Sequence, residues 1–345
     1  MERRLQHVLI TGVTGFLGGH LAARLCRGGV RVRGLGRDPG KGRILTERLG
    51  VEFVRADLAD AAAVSAACQD VDTVIHAGAL SSPWGKRADF VRANVEGTRA
   101  IIAAARSAGV GRLIHVSTPS LYFRHGGGLA VREDAVLPAP VNDYVRTKRL
   151  AEALVLEAGR TGWETVILRP RALIGAGDPS ILPRLLRALE KRRLPMIGKG
   201  TNLTDLTCVE NAASALVLAA TAPGDRVSGR IYNISNGQPV ALWPMLGGLA
   251  RQLNLAEPTR RISCWKAMFA ASVLEGLGRL TGREPALTRY AVGVLGETQT
   301  LDISAARKDL GYVPEVPVEE GLRRFLVWWK ARSPYPFFEV PLAGE

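Results

Sequence analysis

The sequence predicts an α/β protein: a doubly wound parallel sheet that carries a smaller, discontinuous lobe toward the C-terminus. Two observations lead there. Apolar, β-branched runs alternate with Ala-rich helical stretches through the first half of the chain, and successive strands separated by helices run parallel because a parallel neighbour needs a crossover. At 345 residues the chain also exceeds what one compact core usually holds, so a second lobe is expected.

Element by element, H-V-L-I from His7 opens the first strand, G-F-L-G-G-H-L-A-A-R-L the first helix and V-R-V-R-G-L-G the second strand. V-E-F-V-R, V-D-T-V-I-H-A, R-L-I-H-V-S-T and E-T-V-I-L-R-P supply further buried strands, with helices expected near Val64, over 91–107 and over 145–159. After Pro170 the regularity weakens into a helix over 181–193 and then T-N-L-T-D-L-T-C-V-E-N-A-A, which reads as strand, turn and helix. The expected division places 1–170 and about 201–235 in the main domain, and 171–200 with 236–345 in the lobe.

Composition narrows the function classes. With 47% apolar residues and only 6% aromatic, the chain is neither disordered nor a disulfide scaffold. Cys26, Cys68, Cys208 and Cys264 stand singly, without the close pairs of a zinc site or redox dithiol, so no metal is expected and a reducing cytoplasm is the simplest home. The first strand begins at His7, leaving no room for a signal peptide, and no run approaches the roughly 20 apolar residues of a membrane span. The net charge of +14 is spread along the chain and is read as solubility first. Its densest cluster, Lys191, Arg192 and Arg193, closes a helix whose C-terminal dipole favours cations, and no aromatic-basic module points to nucleic acid.

One helical stretch is set apart by its pattern. Ile262, Trp265, Phe269, Val273, Leu277 and Leu280 recur three or four apart, while Lys266 and Arg279 fall elsewhere on the wheel. Packing onto the rest of the lobe is the expected fate of that face, and peripheral docking to a membrane or a lipophilic ligand the alternative. Trp328 and Trp329, in a terminal helix after Val318, are expected to make core contacts.

Directly after the first strand comes T-G-V-T-G-F-L-G, with Gly12, Gly15 and Gly18 at three-residue spacing and Thr14, Phe16 and Leu17 between or beside them. Gly12 can turn the chain tightly, Gly15 lets the backbone approach a diphosphate, and Gly18 lets the helix sit close to the strand. The unpaired N–H groups of the helix then face the phosphates, which predicts a Rossmann-type dinucleotide site. At the end of the second strand, Gly36 stands where a carboxylate would bind the NAD ribose, and Arg37 suits a 2′-phosphate. NADP(H) is therefore favoured over NAD(H), with Asp38 as the alternative ribose partner. Asp57 and Leu58, after the third strand, would flank the adenine, a turn-capping role being the other reading of Asp57.

Tyr144 and Lys148, in D-Y-V-R-T-K, share one face of a helix start. A phenol near pKa ~10 is a poor acid or base at neutral pH, and a neighbouring ammonium is expected to bring it down toward the working range. His76 and His115 lie in apolar strand sequence and read as satisfied core histidines.

With T-G-V-T-G-F-L-G, R-A-D-L, H-A-G-A, N-V-E-G-T, H-V-S-T-P-S, Y-V-R-T-K and L-R-P-R-A-L-I-G in place, the chain resembles the extended short-chain dehydrogenase/reductase family over almost its whole length. L-T-C-V-E-N-A-A and Y-N-I-S-N-G-Q-P are similar to the subgroup of 3β-hydroxysteroid dehydrogenases and bacterial 2-alkyl-3-oxoalkanoate reductases, a resemblance that implies a role in lipid metabolism. The resemblance implies Thr118 as the catalytic hydroxyl with Ser117 as backup, Tyr144 as general acid/base, and Lys148 as the residue that tunes Tyr144 and holds the nicotinamide ribose. It adds Ala77, Gly78, Ala79, Asn94 and Pro170 to the cofactor residues, Asn94 having helix packing as its other reading, and makes Ser120 and Arg171 the candidate substrate contacts. Pro119 and Ser120 occupy the places where sugar 4,6-dehydratases carry an acidic pair, which disfavours dehydration.

The function expected is hydride transfer between a ketone and a secondary alcohol on a lipophilic substrate, a β-keto acid or a 3β-hydroxysteroid-like compound. A nucleotide-sugar epimerase is the first alternative and a non-catalytic NAD(P)-binding regulator the second. The helices over 91–107 and 145–159 resemble the pair through which family members dimerise, so a homodimer is expected.

Overall fold

Val8, Leu9 and Ile10 are wholly buried in β1 (His7–Thr11), as a strand covered by helices on both faces must be. The structure is a computed structural model and describes residues 3–331. β1 leads into α1 (Phe16–Arg27), β2 (Arg31–Gly36), α2 (Pro39–Leu49), β3 (Glu52–Arg55), α3 (Ala61–Ala67) and β4 (Thr73–His76). Asp38 and Asp60 start α2 and α3 by accepting the N–H groups of Lys41 and Ala63. Next comes one continuous helical run in three pieces: α4 (Arg87–Phe90), a π-helical turn over Val91–Glu96, and α5 (Gly97–Ser107). β5 (Arg112–Val116), a 3-10 turn over Pro119–Tyr122, β6 (Gly128–Val131), α6 (Asp143–Gly159) and β7 (Glu164–Pro170) follow.

The later half is made of shorter pieces. β8 (Leu173–Ile174), α7 (Ile181–Glu190), β9 (Met196–Ile197), β10 (Leu203–Thr204) and β11 (Thr207–Cys208) precede α8 (Val209–Thr221), α9 (Gly224–Val227) and β12 (Arg230–Ile234). β13 (Val240–Ala241), α10 (Leu242–Gln252), β14 (Arg261–Ile262), α11 (Cys264–Thr281), α12 (Arg289–Gly296), β15 (Gln299–Leu301), α13 (Ser304–Leu310) and α14 (Val318–Ala331) complete the order.

Seven strands form one parallel sheet in the order β12-β7-β5-β4-β1-β2-β3, the doubly wound arrangement the alternation predicts. Strand order reverses between β1 and β4, and a ligand crevice in such sheets opens beyond the carboxyl ends at that reversal. A second sheet, β13-β10-β15-β6, belongs to the lobe, whose own core centres on Trp243, Leu246, Ile197 and Phe325. Three segments cross the division expected from sequence. β6 and β10 pair with the lobe sheet, while Ile303, Ala306, Leu310 and Tyr312 pack back into the main core.

The apolar face of α11 departs from expectation. Trp265 and Phe269 are 69% and 70% exposed, and Val273, Leu277 and Leu280 also face solvent. The helix instead turns inward Ala267, Ala271 and Gly278, small residues that let it approach α12 closely, together with Glu275, which accepts from Arg289 N at 2.7 Å and Nε at 3.0 Å. Packing onto the lobe therefore uses the small-residue side. Ile262 lies outside the helix, in β14. Trp328 and Trp329 do pack against the lobe core, Trp329 stacked on Phe325 with ring centroids 5.8 Å apart. All four cysteines are free, and among the described residues there is neither a metal-ligating cluster nor a helix long and apolar enough to cross a membrane.

Candidate active site

The glycine loop closes the sheet's central crevice. Gly12 has φ +71, which only glycine adopts easily, and a Cβ there would meet Gly78 Cα at 2.8 Å, so the turns after β1 and β4 touch backbone to backbone. A Cβ on Gly18 would stand 2.2 Å from Gly12 O, which fixes α1 against the loop. α1 begins with no side-chain cap and no acid in its first turn, leaving its first N–H groups to an anion. These features fit a dinucleotide diphosphate, held by the loop from Gly12 to Gly18 with Thr14, Phe16 and Leu17 around it.

The region beyond β2 and β3, where an adenosine would fit, is polar and open. A Cβ on Gly36 would lie 2.8 Å from Thr14 Oγ1, so a side chain there would require Thr14 to move. Arg37 is exposed, with Nη1 3.9 Å from Asp57 Oδ2. Asp38 caps α2 through Lys41 N at 3.1 Å, and Asp57 caps its own turn through Ala59 N at 3.0 Å. Leu58 packs beneath Gly78 and Gly97. Ala77, Gly78 and Ala79 line the end of β4, and Pro170 ends β7.

Asn94 sits in the π-helical turn with its amide engaged on both sides. Oδ1 accepts from Leu80 N at 2.7 Å, and Nδ2 donates to Leu80 O at 3.2 Å and to Thr147 Oγ1 at 3.1 Å. Its reach toward a cofactor is therefore through the backbone after Ala79, which it ties to α6.

Tyr144, Lys148 and Glu152 follow one another at four-residue spacing on α6 and turn the same face to the sheet. The Tyr144 phenol lies within hydrogen-bond reach of Ser81 and Thr118. Thr118 Oγ1 donates to Ser120 Oγ at 3.0 Å, and Ser120 Oγ shares a hydrogen bond with Tyr290 OH at 2.7 Å. The hydroxyls of Thr118, Ser120, Tyr144 and Tyr290 thus converge at the carboxyl end of β5, with Ser81 beside Tyr144. Ser117 Oγ points elsewhere, buried without a partner. Sequence reasoning missed Ser81, which only follows the H-A-G-A motif, and Tyr290, which lies in the lobe and has no motif.

The electrostatics differ from expectation. Burial pushes the Tyr144 phenol up, against the downward pull of hydrogen bonds from Ser81 and Thr118. Lys148 does not bring it down, because its ammonium is committed elsewhere: Nζ donates to Val116 O at 2.7 Å and lies 3.1 Å from His115 Nε2. Burial lowers Lys148 itself to about 8, the Glu152 carboxylate opposing the shift. His76 is satisfied by Thr11 Oγ1 at 2.7 Å and Thr98 Oγ1 at 3.0 Å, and burial lowers it to about 3. His115 is more than a core residue. Burial and the Lys148 charge keep it neutral, its Nε2 faces that ammonium, and its Nδ1 has no partner.

Two arginines close the site, Arg169 in β7 and Arg171 just after it. Arg169 is spent on structure, donating from Nε and Nη2 to the two oxygens of Glu152 at 2.8 and 2.6 Å and from Nη1 to Tyr122 OH. Arg171 is different: it is 6% exposed, its Nε is buried with no partner, and it lines a pocket with Pro119, Tyr122, Val131 and Leu301. Burial lowers its pKa, while Tyr290 and Asp205 act on it only through their charge. The following residue, Ala172, holds φ +42, a strained value that non-glycine residues adopt mainly where the fold demands it.

The fold and this convergence define a nicotinamide-dependent enzyme of Rossmann type. The chain belongs to the NAD dependent epimerase/dehydratase family, which it matches over residues 8–235. It is 38% identical over 330 residues to a 2-alkyl-3-oxoalkanoate reductase of Stenotrophomonas maltophilia (strain K279a), covering 92% of this chain and 97% of that one. It is 30% identical over 328 residues to a decarboxylating sterol-4-alpha-carboxylate 3-dehydrogenase of Mus musculus, covering 91% and 88%. In structure it is similar to MoeE5 solved with UDP-glucuronic acid and NAD, with a TM-score of 0.73, 28% identity and coverage of 95% and 100%.

Proposed function

We propose that this chain is an oxidoreductase that interconverts a ketone and a secondary alcohol on a lipophilic substrate of the β-keto acid or 3β-hydroxysteroid kind, with NADP(H) preferred. The observation that carries the reading is the hydroxyl cluster of Thr118, Ser120, Tyr144 and Tyr290, gathered next to Arg171, whose buried Nε has no hydrogen-bond partner. The relatives named as a reductase of 3-oxoalkanoates and a sterol 3-dehydrogenase support it. A bound nicotinamide supplies the hydride. Thr118 and Tyr144 polarise the carbonyl oxygen, and Tyr144 delivers the proton from its phenolic oxygen. Burial keeps that phenol protonated at neutral pH, which suits a donor. Lys148, charged below about pH 8, is the residue proposed to hold the nicotinamide ribose.

The working form proposed is a cytoplasmic homodimer, paired through α5 and α6, in peripheral contact with a membrane. The test of function is net turnover. NADPH should be consumed with long-chain 3-oxo acids or 3-ketosteroids, whereas UDP- or dTDP-sugars interconverted without net cofactor change would replace this reading with an epimerase.

Charge sets the pH dependence. As pH rises through about 8, Lys148 loses its proton and its charge-assisted hydrogen bond to the ribose weakens, so reduction should fall across that range. A pH profile of Lys148→Met should be low and lack the fall.

Arg37 and Arg171 serve binding. A charge-assisted hydrogen bond is worth about 1.5–3 kcal/mol, or roughly tenfold to a hundredfold. Arg37→Gln should therefore raise KM for NADPH by that factor and leave KM for NADH nearly unchanged. Arg171→Met should raise KM for a 3-oxo acid similarly but not for its methyl ester, because the guanidinium fork fits a carboxylate. Equal effects on acid and ester would remove Arg171 from anion recognition.

A further inference from the structure

Along one side of α11, Trp265, Phe269, Val273, Leu277 and Leu280 stand in solvent, Leu280 being 86% exposed. A contiguous apolar ridge of this kind marks an interaction surface. Its surroundings are cationic. Arg260, Arg261, Lys266, Arg279 and Arg283 are all exposed, and none forms an ion pair with an acid among the described residues. The nearby acids are taken: Glu275 is buried on Arg289, Glu284 pairs with Arg184, and Glu257 pairs with Arg251. The ridge therefore has a basic border with no free carboxylate along the helix.

We infer that α11 docks on an anionic phospholipid bilayer, its apolar side lying at the boundary between headgroups and acyl chains and its cations on the lipid phosphates. Charge decides between occupants. In a two-fold pairing of copies through this face, the unpaired cations of one copy would meet those of the other, whereas an anionic lipid surface complements them. Lys266 has the reach for this, its Nζ 5.4 Å from the Trp265 ring centre and able to extend to phosphate while its stem covers apolar surface.

The position also connects to the candidate site. Gly278 backs onto Trp84, Glu275 holds Arg289, and the next residue, Tyr290, reaches Ser120. Docking would set the hydroxyl cluster beside the phase in which a lipophilic ketone partitions. That last step rests on the reading of the substrate given above, and the docking itself does not.

The test is cosedimentation of the full chain with vesicles of phosphatidylcholine containing phosphatidylglycerol, against vesicles of phosphatidylcholine alone. Binding should require the anionic lipid, fall with added salt, and weaken about tenfold or more in Trp265→Ser/Phe269→Ser and in Lys266→Glu/Arg279→Glu. Unchanged melting temperature and nicotinamide binding in these variants keep a failure of the surface separate from a failure of the enzymatic reading. The inference is overturned if the chain stays in the supernatant with anionic vesicles, or if the variants sediment as the parent does. It is equally overturned if size-exclusion shows a dimer that the Trp265→Ser/Phe269→Ser variant converts to monomer.

Discussion

Tyr144→Phe is expected to lower ketone reduction by about 10²–10⁴-fold, the usual contribution of a positioned general acid, while cofactor affinity stays nearly constant. The substitution removes one oxygen and leaves the ring packed near Phe90, whose centroid lies 6.5 Å away. The glycine loop, the proposed diphosphate site, is untouched. Stopped-flow reduction alongside NADPH titration separates the two quantities. Retained turnover would take the proton-transfer role away from Tyr144, and lost NADPH binding would show that the phenol serves the cofactor instead.

Glu152→Ala should destabilise the fold by about 3–5 kcal/mol, because it strands the Arg169 guanidinium in the interior. The two side chains are only 4% and 2% exposed and meet through paired hydrogen bonds. Urea unfolding measures the loss. Most of it should return in Glu152→Leu/Arg169→Met, where neither charge is buried. The pair has a functional consequence too, for Glu152 stands on the same face of α6 as Tyr144 and Lys148 and clamps that face to β7. Arg169 then reaches Tyr122 at the end of the turn that begins with Pro119 and Ser120. If Glu152→Ala is as stable as the parent, the clamp contributes nothing.

What was legible in the sequence was local. The spacings from Gly12 to Gly18 and from Tyr144 to Lys148 are fixed by one turn and one helix, so they survive folding unchanged. The parallel sheet followed from alternation for the same reason. Ser120 and Tyr290 are 170 residues apart and meet only through tertiary structure, and no spacing announces such a pair.

The rotation of α11 was hidden for a different cause. Periodicity shows that a helix has an apolar face, but not which side turns inward, and Ala267, Ala271 and Gly278 gain their place by being small rather than apolar. The pKa relation between Lys148 and Tyr144 was likewise out of reach. It depends on where the ammonium hydrogen-bonds, and its partners Val116 O and His115 lie on β5 rather than on α6.

Net hydride transfer at the hydroxyl cluster is the claim on which the rest stands. It is tested most directly with NADPH deuterated at the transferable C4 position and a long-chain 3-oxo acid, followed by mass spectrometry of the product. The account predicts one deuterium on the new carbinol carbon for each cofactor oxidised, and almost none with Tyr144→Phe. Unlabelled ketone with intact NADPH, together with rapid epimerisation of a sugar nucleotide, would contradict it.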